Sequence, residues 1–148
     1  MFTVRGVLKA TSGRLIRGSS EISFRGVSMD TRSISPGEAF IAIKGNNFDG
    51  HDFIKEAQSK GARCIIKEKR GGLPRARNLA VIEVGSTVKA LGDLARYQRL
   101  RYAVPVIALT GSNGKTTTKE MIYKVLSGRY RVRKSEGTKN NHIGLPFT

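Results

Sequence analysis

The amino-acid sequence predicts an α/β fold: a small mixed α/β domain, followed by the first strand, loop and helix of a phosphate-loop (P-loop) ATPase domain with a parallel sheet. Three observations predict this arrangement. Short β-branched runs alternate with stretches of helical periodicity over the first hundred residues. A continuous apolar run, Val106 to Leu109, is typical of a strand covered on both faces. A glycine-rich loop and a helical pattern follow it directly, so we expect domains at 1–103 and 104–148.

Composition sets the class of partner. The 148 residues are 39% hydrophobic, which is enough for a packed core, and 27 Lys and Arg against 11 Asp and Glu give a net charge of +16. Such a charge favours anionic ligands. The basic residues are spread along the chain with few aromatic residues among them, so we expect nucleotides and no nucleic acid as partners. The sequence contains neither a membrane-length apolar run nor a secretory signal, and we expect a cytoplasmic monomer.

The first predicted elements are a helix and a hairpin-like unit. An amphipathic pattern predicts a helix over Thr3 to Ala10, ended by the Ser12-Gly13 pair. Residues 24–28 and 39–44 are rich in β-compatible side chains and flank the turn sequence Ser35-Pro36-Gly37. We therefore expect the two runs to pair across this turn.

The remaining elements of the first domain alternate between helix and strand. After residues 49–51 a helix should run to about Lys60, followed by a strand at 63–67 that buries Cys64. A polar loop at 69–78 and a strand at 79–84 come next. Ser86 is a good N-cap, and apolar residues at three- and four-residue steps predict a helix from there to about Tyr102.

The glycine-rich loop has the composition of a nucleotide phosphate site. Glycines let the backbone N–H groups approach phosphates, and the amino terminus of the following helix adds partial positive charge. Lys115 would neutralise the β- and γ-phosphates of ATP, and the Thr116 hydroxyl would hold Mg²⁺. Leu109 stands where the general motif begins with glycine. The predicted cofactor-binding residues are Thr110, Gly111, Ser112, Asn113, Gly114, Lys115, Thr116 and Thr117.

These residues carry a resemblance to a known family. The segment 110–117 resembles the phosphate loop of the Mur ligases, which share the leucine departure. Segments 27–32, 36–45, 48–54 and Gly61-Ala62 are similar to the domain that binds the UDP-sugar in the MurE and MurF branches. The stretch Asn140 to Pro146 resembles the Asn-Asn-x-Ile-Gly-x-Pro sequence of the MurF branch, although Thr138 replaces the usual asparagine.

The resemblance implies a reaction. A MurF-type ligase activates the terminal carboxylate of UDP-N-acetylmuramoyl-tripeptide as an acyl phosphate, using ATP and Mg²⁺, and D-alanyl-D-alanine then attacks to form an amide. Lys115 and Thr116 would be the catalytic residues, because such a step depends mostly on positioning and charge neutralisation. The resemblance covers about the first third of such an enzyme, so we expect the chain alone not to ligate.

Each other candidate residue has a structural alternative. Asp30 and Arg32 could form a local ion pair, or Arg32 could approach the UDP-linked substrate with Ser28 and Thr31 nearby. Lys44-Gly45 follows a strand, where a lysine is often only solvated, and the resemblance favours substrate contact. Asp49-Gly50-His51 could be a helix cap, and Asn140 and Asn141 could form a turn; the resemblance implies substrate binding for both.

Two other functions are alternatives to a MurF-type ligase. A MurE-type ligase adds the third amino acid and shares the early motifs, so only 140–146 distinguishes it. A basic nucleic-acid-binding module with an incidental phosphate loop would instead show salt-dependent binding to unrelated oligonucleotides. The two histidines, His51 and His142, have no zinc-site spacing, and we expect no zinc.

Overall fold

The structure is a computed structural model that describes residues 1–45, 47–70, 72 and 78–135. The five strands of its main sheet are ordered β2-β7-β6-β5-β4. Strands β4 to β7 run parallel, and β2 pairs antiparallel with β7 at one edge. A separate antiparallel pair joins β1 to β3. The strands are β1 Phe2–Thr3, β2 Arg14–Arg17, β3 Ser23–Phe24, β4 Val27–Ser28, β5 Ala39–Ile41, β6 Cys64–Lys67 and β7 Ala80–Glu83.

Helices cover both faces of the sheet. Along β5, β6 and β7 the buried side chains alternate between two apolar clusters, as the period of two in a strand requires. One cluster joins the sheet to α1 and α3, and the other joins it to α2. The helices are α1 Val4–Thr11, α2 Ile54–Ser59, α3 Thr87–Arg99 and α4 Lys115–Ser127, and a 3-10 turn spans Gly50–Phe53. The predicted mixed α/β class is confirmed.

The helices α1 and α3 begin within one residue of the predicted positions. The Thr3 side chain accepts from the N–H of Gly6, and Ser12 ends α1 in a left-handed conformation with φ of 53°. The Ser86 side chain accepts from the N–H of Lys89 at the start of α3. The α3 helix ends at Arg99, three residues before the predicted end, and β1 and β2 were not predicted at all. Cys64 is fully buried, as expected.

The predicted hairpin is wrong. Residues 24–28 do not form one strand: Phe24 pairs with Phe2 in the small sheet, whereas Val27 and Ser28 pair parallel with Ala39 and Phe40. A tight turn can join only antiparallel strands, and a parallel pair needs a longer connection. The chain between β4 and β5 supplies that connection, and the predicted turn Ser35-Pro36-Gly37 lies within it.

The strand predicted at Val106 to Leu109 is also absent from the described residues. Val106 and Ile107 are exposed, and no described strand pairs with this run. A strand of this apolar type requires hydrogen-bonded neighbours and cover on both faces. The loop and the helix after it are present, because α4 begins at Lys115 as the phosphate-loop pattern predicts.

Candidate substrate and nucleotide sites

The carboxyl ends of the parallel strands bring the predicted substrate residues to one edge of the sheet. Strand β4 ends at Ser28, β5 leads into the 44–51 loop, and β6 ends at Lys67. Open α/β sheets bind ligands outside the carboxyl ends of their strands. The fold therefore places Ser28, Asp30, Thr31, Arg32, Lys44, Gly45, Asp49, Gly50 and His51 along a single edge.

The residues after β4 form a turn with its own ion pair. The carboxylate of Asp30 accepts hydrogen bonds from the backbone N–H of Arg32 at 2.9 Å and from its guanidinium at 2.6 Å. This side-chain hydrogen bond lowers the pKa of Asp30 to about 2. Ser28 Oγ donates to the carbonyl of Asp30, and Lys60 Nζ donates to the carbonyl of Thr31. The local ion pair is thus formed, while the Arg32 side chain is 88% exposed.

The loop after β5 is short and closed by backbone contacts. Lys44 bridges Asp49 in antiparallel fashion, and the N–H of Gly45 donates to the carbonyl of Phe48 at 2.9 Å. A side chain at Gly50 would have its Cβ 2.7 Å from the backbone of Ile43, so only glycine permits this approach. Lys44 itself is exposed, and its ammonium has no hydrogen bond or ion pair with another described residue.

His51 connects this loop to the end of β6. Its side chain is 4% exposed, and its Nδ1 lies 2.6 Å from Oδ1 of Asp49. The backbone N–H of Glu68 donates to Nε2 of His51 at 3.1 Å, so Nε2 is the acceptor and Nδ1–H donates to Asp49. Asp49 also accepts from the backbone N–H of His51, and this bond is the main cause of its lowered pKa. The predicted cap at Asp49 is therefore present.

Four residues of this network were not predicted from the sequence. Glu68 Oε1 accepts from the N–H and hydroxyl of Thr87, and Glu68 Oε2 accepts from Arg70 at 2.6 Å. The bond from Arg70 is the main cause of the lowered pKa of Glu68. Lys67 is buried, and its ammonium donates to the carbonyls of Glu68 and Arg70. A lysine ending an otherwise apolar strand was the one local sign of this arrangement.

The phosphate loop lies between an exposed segment and α4. Gly111 and Gly114 have positive φ values of 144° and 75°, which glycine adopts without strain. Gly114 caps α4 without any side-chain hydrogen bond, so the first-turn N–H groups have no side-chain acceptor there. The Lys115 ammonium contacts the carbonyl of Gly111 and lies 3.4 Å from that of Ser112. Thr110, Gly111, Ser112, Asn113, Thr116 and Thr117 are exposed.

The loop residues suit a magnesium-bound triphosphate. The ammonium of Lys115 contacts the carbonyls of Gly111 and Ser112, so its positive charge lies within the loop. Thr116, in the first turn of α4, offers a hydroxyl oxygen of the kind that Mg²⁺ accepts together with phosphate oxygens. Lys115 and the loop amides would hold the phosphates, and Thr116 would hold the metal.

Other features lie apart from these sites. Asn140 and Asn141 lie outside the described residues. In the described part of the chain, no three His, Cys, Asp or Glu side chains form a group that could hold a metal ion. Among the same residues, no helix has the length and apolar character to cross a membrane. A cavity of about 140 Å³ between the amino terminus and α3 contains none of the candidate residues; Met1, Phe2, Thr3, Gly6, Leu94, Tyr97 and Arg101 line it.

Two family profiles match the chain in sequence. Residues 23–99 match the description "Mur ligase family, catalytic domain", and residues 109–148 match "Mur ligase middle domain". The UDP-N-acetylmuramoyl-tripeptide–D-alanyl-D-alanine ligase of Bacillus subtilis is 42% identical over 147 residues, which are 99% of this chain and 32% of that protein. The chain therefore spans about a third of the length of such relatives.

Solved structures agree with this similarity. A crystal structure of MurF from Acinetobacter baumannii superposes with a TM-score of 0.85 at 36% identity and covers 99% of this chain and 32% of that one. A MurF ligase from Thermotoga maritima in complex with ADP superposes with a TM-score of 0.75 at 38% identity, covering 86% of this chain and 29% of that one. The match to the Acinetobacter baumannii structure, which covers 99% of this chain, includes both the sheet edge and the phosphate loop.

Proposed function

Because the chain belongs to the Mur ligase family, we propose that it is part of an ATP-dependent ligase that adds D-alanyl-D-alanine to UDP-N-acetylmuramoyl-tripeptide. The observation that carries this proposal is the 42% identity along 147 residues to the Bacillus subtilis ligase of that name. That alignment spans both the sheet-edge residues and the phosphate loop. We further propose that residues 1–103 bind the UDP-linked substrate and that 104–148 begin the ATP-binding domain.

The roles of the residues follow from their chemistry. At the sheet edge, the exposed cations Lys44 and Arg32 would meet the diphosphate of the UDP-linked substrate, with Ser28 and Thr31 beside them. Gly45, Asp49, Gly50 and His51 would shape the loop. At the phosphate loop, Lys115 and the backbone N–H groups would neutralise the phosphates of ATP. Asn140 and Asn141 would contact the muramoyl peptide.

The reaction then needs no protein nucleophile. The carboxylate of the tripeptide takes the γ-phosphoryl group of ATP to give an acyl phosphate and ADP. The amine of D-alanyl-D-alanine attacks the carbonyl carbon, loses a proton, and expels inorganic phosphate as the amide forms. Lys115 would stabilise the charge that develops on the transferred group, and Thr116 would help to hold Mg²⁺, which would supply further positive charge at the phosphates.

A swap assay tests the proposal. The complete polypeptide that carries this chain is incubated with ATP and magnesium, once with UDP-muramoyl tripeptide plus D-alanyl-D-alanine and once with UDP-muramoyl dipeptide plus a diamino acid. We expect a new amide, found by mass spectrometry, only in the first mixture. Product only in the second mixture would assign the MurE-type reaction, and no product together with salt-dependent oligonucleotide binding would favour the nucleic-acid module.

A further inference from the structure

We propose that a closed ring of four residues, joined by side-chain contacts and one backbone N–H, positions the loop that carries Lys44 against the UDP-linked substrate. The ring consists of Asp49, His51, Glu68 and Arg70, and we call it the carboxyl-edge ring. Its members are positioning residues, since they act through Lys44. The inference rests on the proposed function, because it assumes that the substrate's diphosphate binds at this edge of the sheet.

The first step is that the ring is closed by contacts between two separate loops. His51 Nδ1 and Asp49 Oδ1 are 2.6 Å apart, and Nε2 of His51 accepts from the N–H of Glu68 at 3.1 Å. Glu68 pairs with Arg70 at 2.6 Å, and Arg70 returns to Oδ2 of Asp49 at 3.5 Å. The loop after β5 is thereby joined at two points to the loop after β6.

The second step is that both loops are anchored to the rigid part of the fold. Lys67 is 3% exposed, and its ammonium donates to the carbonyls of Glu68 and Arg70 at 2.9 Å. Burying an ammonium is unfavourable unless its donors find acceptors, so these bonds hold the turn after β6 in place. Glu68 also accepts from the N–H and hydroxyl of Thr87, which ties the ring to the first turn of α3.

The third step concerns which cation remains available. Arg70 faces two carboxylates, Asp49 and Glu68, and each carboxylate has a lowered pKa, so both are ionised at neutral pH. Lys44 is exposed and has no carboxylate partner among the described residues. Asp49 belongs to the ring and also bridges Lys44 through the backbone. Fixing Asp49 therefore fixes Lys44 while leaving its charge for an anionic ligand.

Glu68→Gln tests the ring, and Glu83→Gln is its matched control. Glu83 ends the neighbouring strand β7 and pairs with Arg14 at 3.1 Å, so both variants lose one carboxylate–arginine pair. In the complete polypeptide we expect Glu68→Gln to raise the Kd for UDP-N-acetylmuramoyl-tripeptide about ten-fold. The Kd for ATP should stay unchanged, and Glu83→Gln should change neither value. Lys67→Met should shift the same Kd in the same direction.

Hydrogen exchange provides a second readout. The N–H groups of Gly45 and His51 should exchange faster in Glu68→Gln than in Glu83→Gln, because Arg70, which also pairs with Asp49, loses its charged partner at Glu68. Equal substrate affinities or equal exchange in the two variants, with wild-type binding intact, would overturn the ring alone. Failure of the wild type to bind the UDP-linked ligand would instead overturn the proposed function, and the positioning role with it.

Discussion

The carboxyl edge of the sheet and the phosphate loop are held in opposite ways. At the sheet edge, Glu68 meets His51 and Thr87 across 17 and 19 residues of sequence. At the phosphate loop, Lys115 meets carbonyls only three and four residues away. The first site therefore depends on the tertiary fold, whereas the second is encoded in a short local segment. Changes in the core should affect the first site, and changes within 110–117 should affect only the second.

The largest effect should come from the core beneath the sheet. Phe40 is 1% exposed in β5, so Phe40→Ala should lower the free energy of unfolding by about 3 to 5 kcal/mol. Val125 in α4 is 78% exposed, and Val125→Ala should change it by less than about 0.5 kcal/mol. Urea unfolding followed by circular dichroism measures both. Equal losses in the two variants would contradict the proposed contrast between the two regions.

The next largest effect should be at the phosphate loop. Lys115→Ala should weaken ATP binding about 100-fold, since a charged hydrogen-bonding group is removed from the phosphates. The melting temperature should hardly change, because the described contacts of Lys115 lie within its own loop. Lys124→Ala, on the exposed surface of the same helix, is the control. Unchanged ATP affinity in Lys115→Ala would count against the assigned site.

A smaller effect should appear in the pH dependence of stability. The pKa of Asp30 falls from 3.8 to about 2 on folding, mainly through the hydrogen bond from the Arg32 side chain. Its contribution should be fully present above pH 3.8 and lost as the pH falls through about 2. Thermal unfolding of Asp30→Asn should thus approach that of the wild type over this window. Arg32→Met should flatten the same dependence; a steep difference persisting in that variant would assign it to another group.

The smallest effect should come from an exposed ion pair on α3. Lys89 and Asp93 are 2.6 Å apart, but the lysine side chain is 76% exposed. Lys89→Met should therefore change the free energy of unfolding by less than about 0.5 kcal/mol. A loss of several kcal/mol, measured by urea unfolding, would mean that surface charge matters more in this basic protein than the packing of its sheet does.

The sequence predicted what depends on local pattern. Strands β5, β6 and β7, the end of α1 at Ser12, the cap at Ser86 and the start of α4 at Lys115 all follow from periodicity or a motif. The apolar run at 106–109 has the composition of a buried strand but lacks strand neighbours among the described residues. Composition could not reveal that absence, because a strand exists only through its partners.

The missed parts of the sheet edge have a similar cause. Nothing near Glu68 indicates that its carboxylate meets Thr87, because that contact requires β6 and β7 to be adjacent and parallel. The hairpin prediction failed for a similar reason. The turn Ser35-Pro36-Gly37 can lie in a hairpin or in a longer connection between parallel strands, and the strand order decides between the two. A site assembled from several strand ends becomes visible only once the strand order is known.

The most direct test of two separate nucleotide sites is a titration of the Lys115→Ala variant of the complete polypeptide with each ligand in turn. We expect UDP-N-acetylmuramoyl-tripeptide to bind with wild-type affinity, while ATP binding weakens about 100-fold. If affinity for the UDP-linked ligand falls together with that for ATP, or if ATP binds as in the wild type, the assignment of one nucleotide to the sheet edge and the other to the phosphate loop is contradicted.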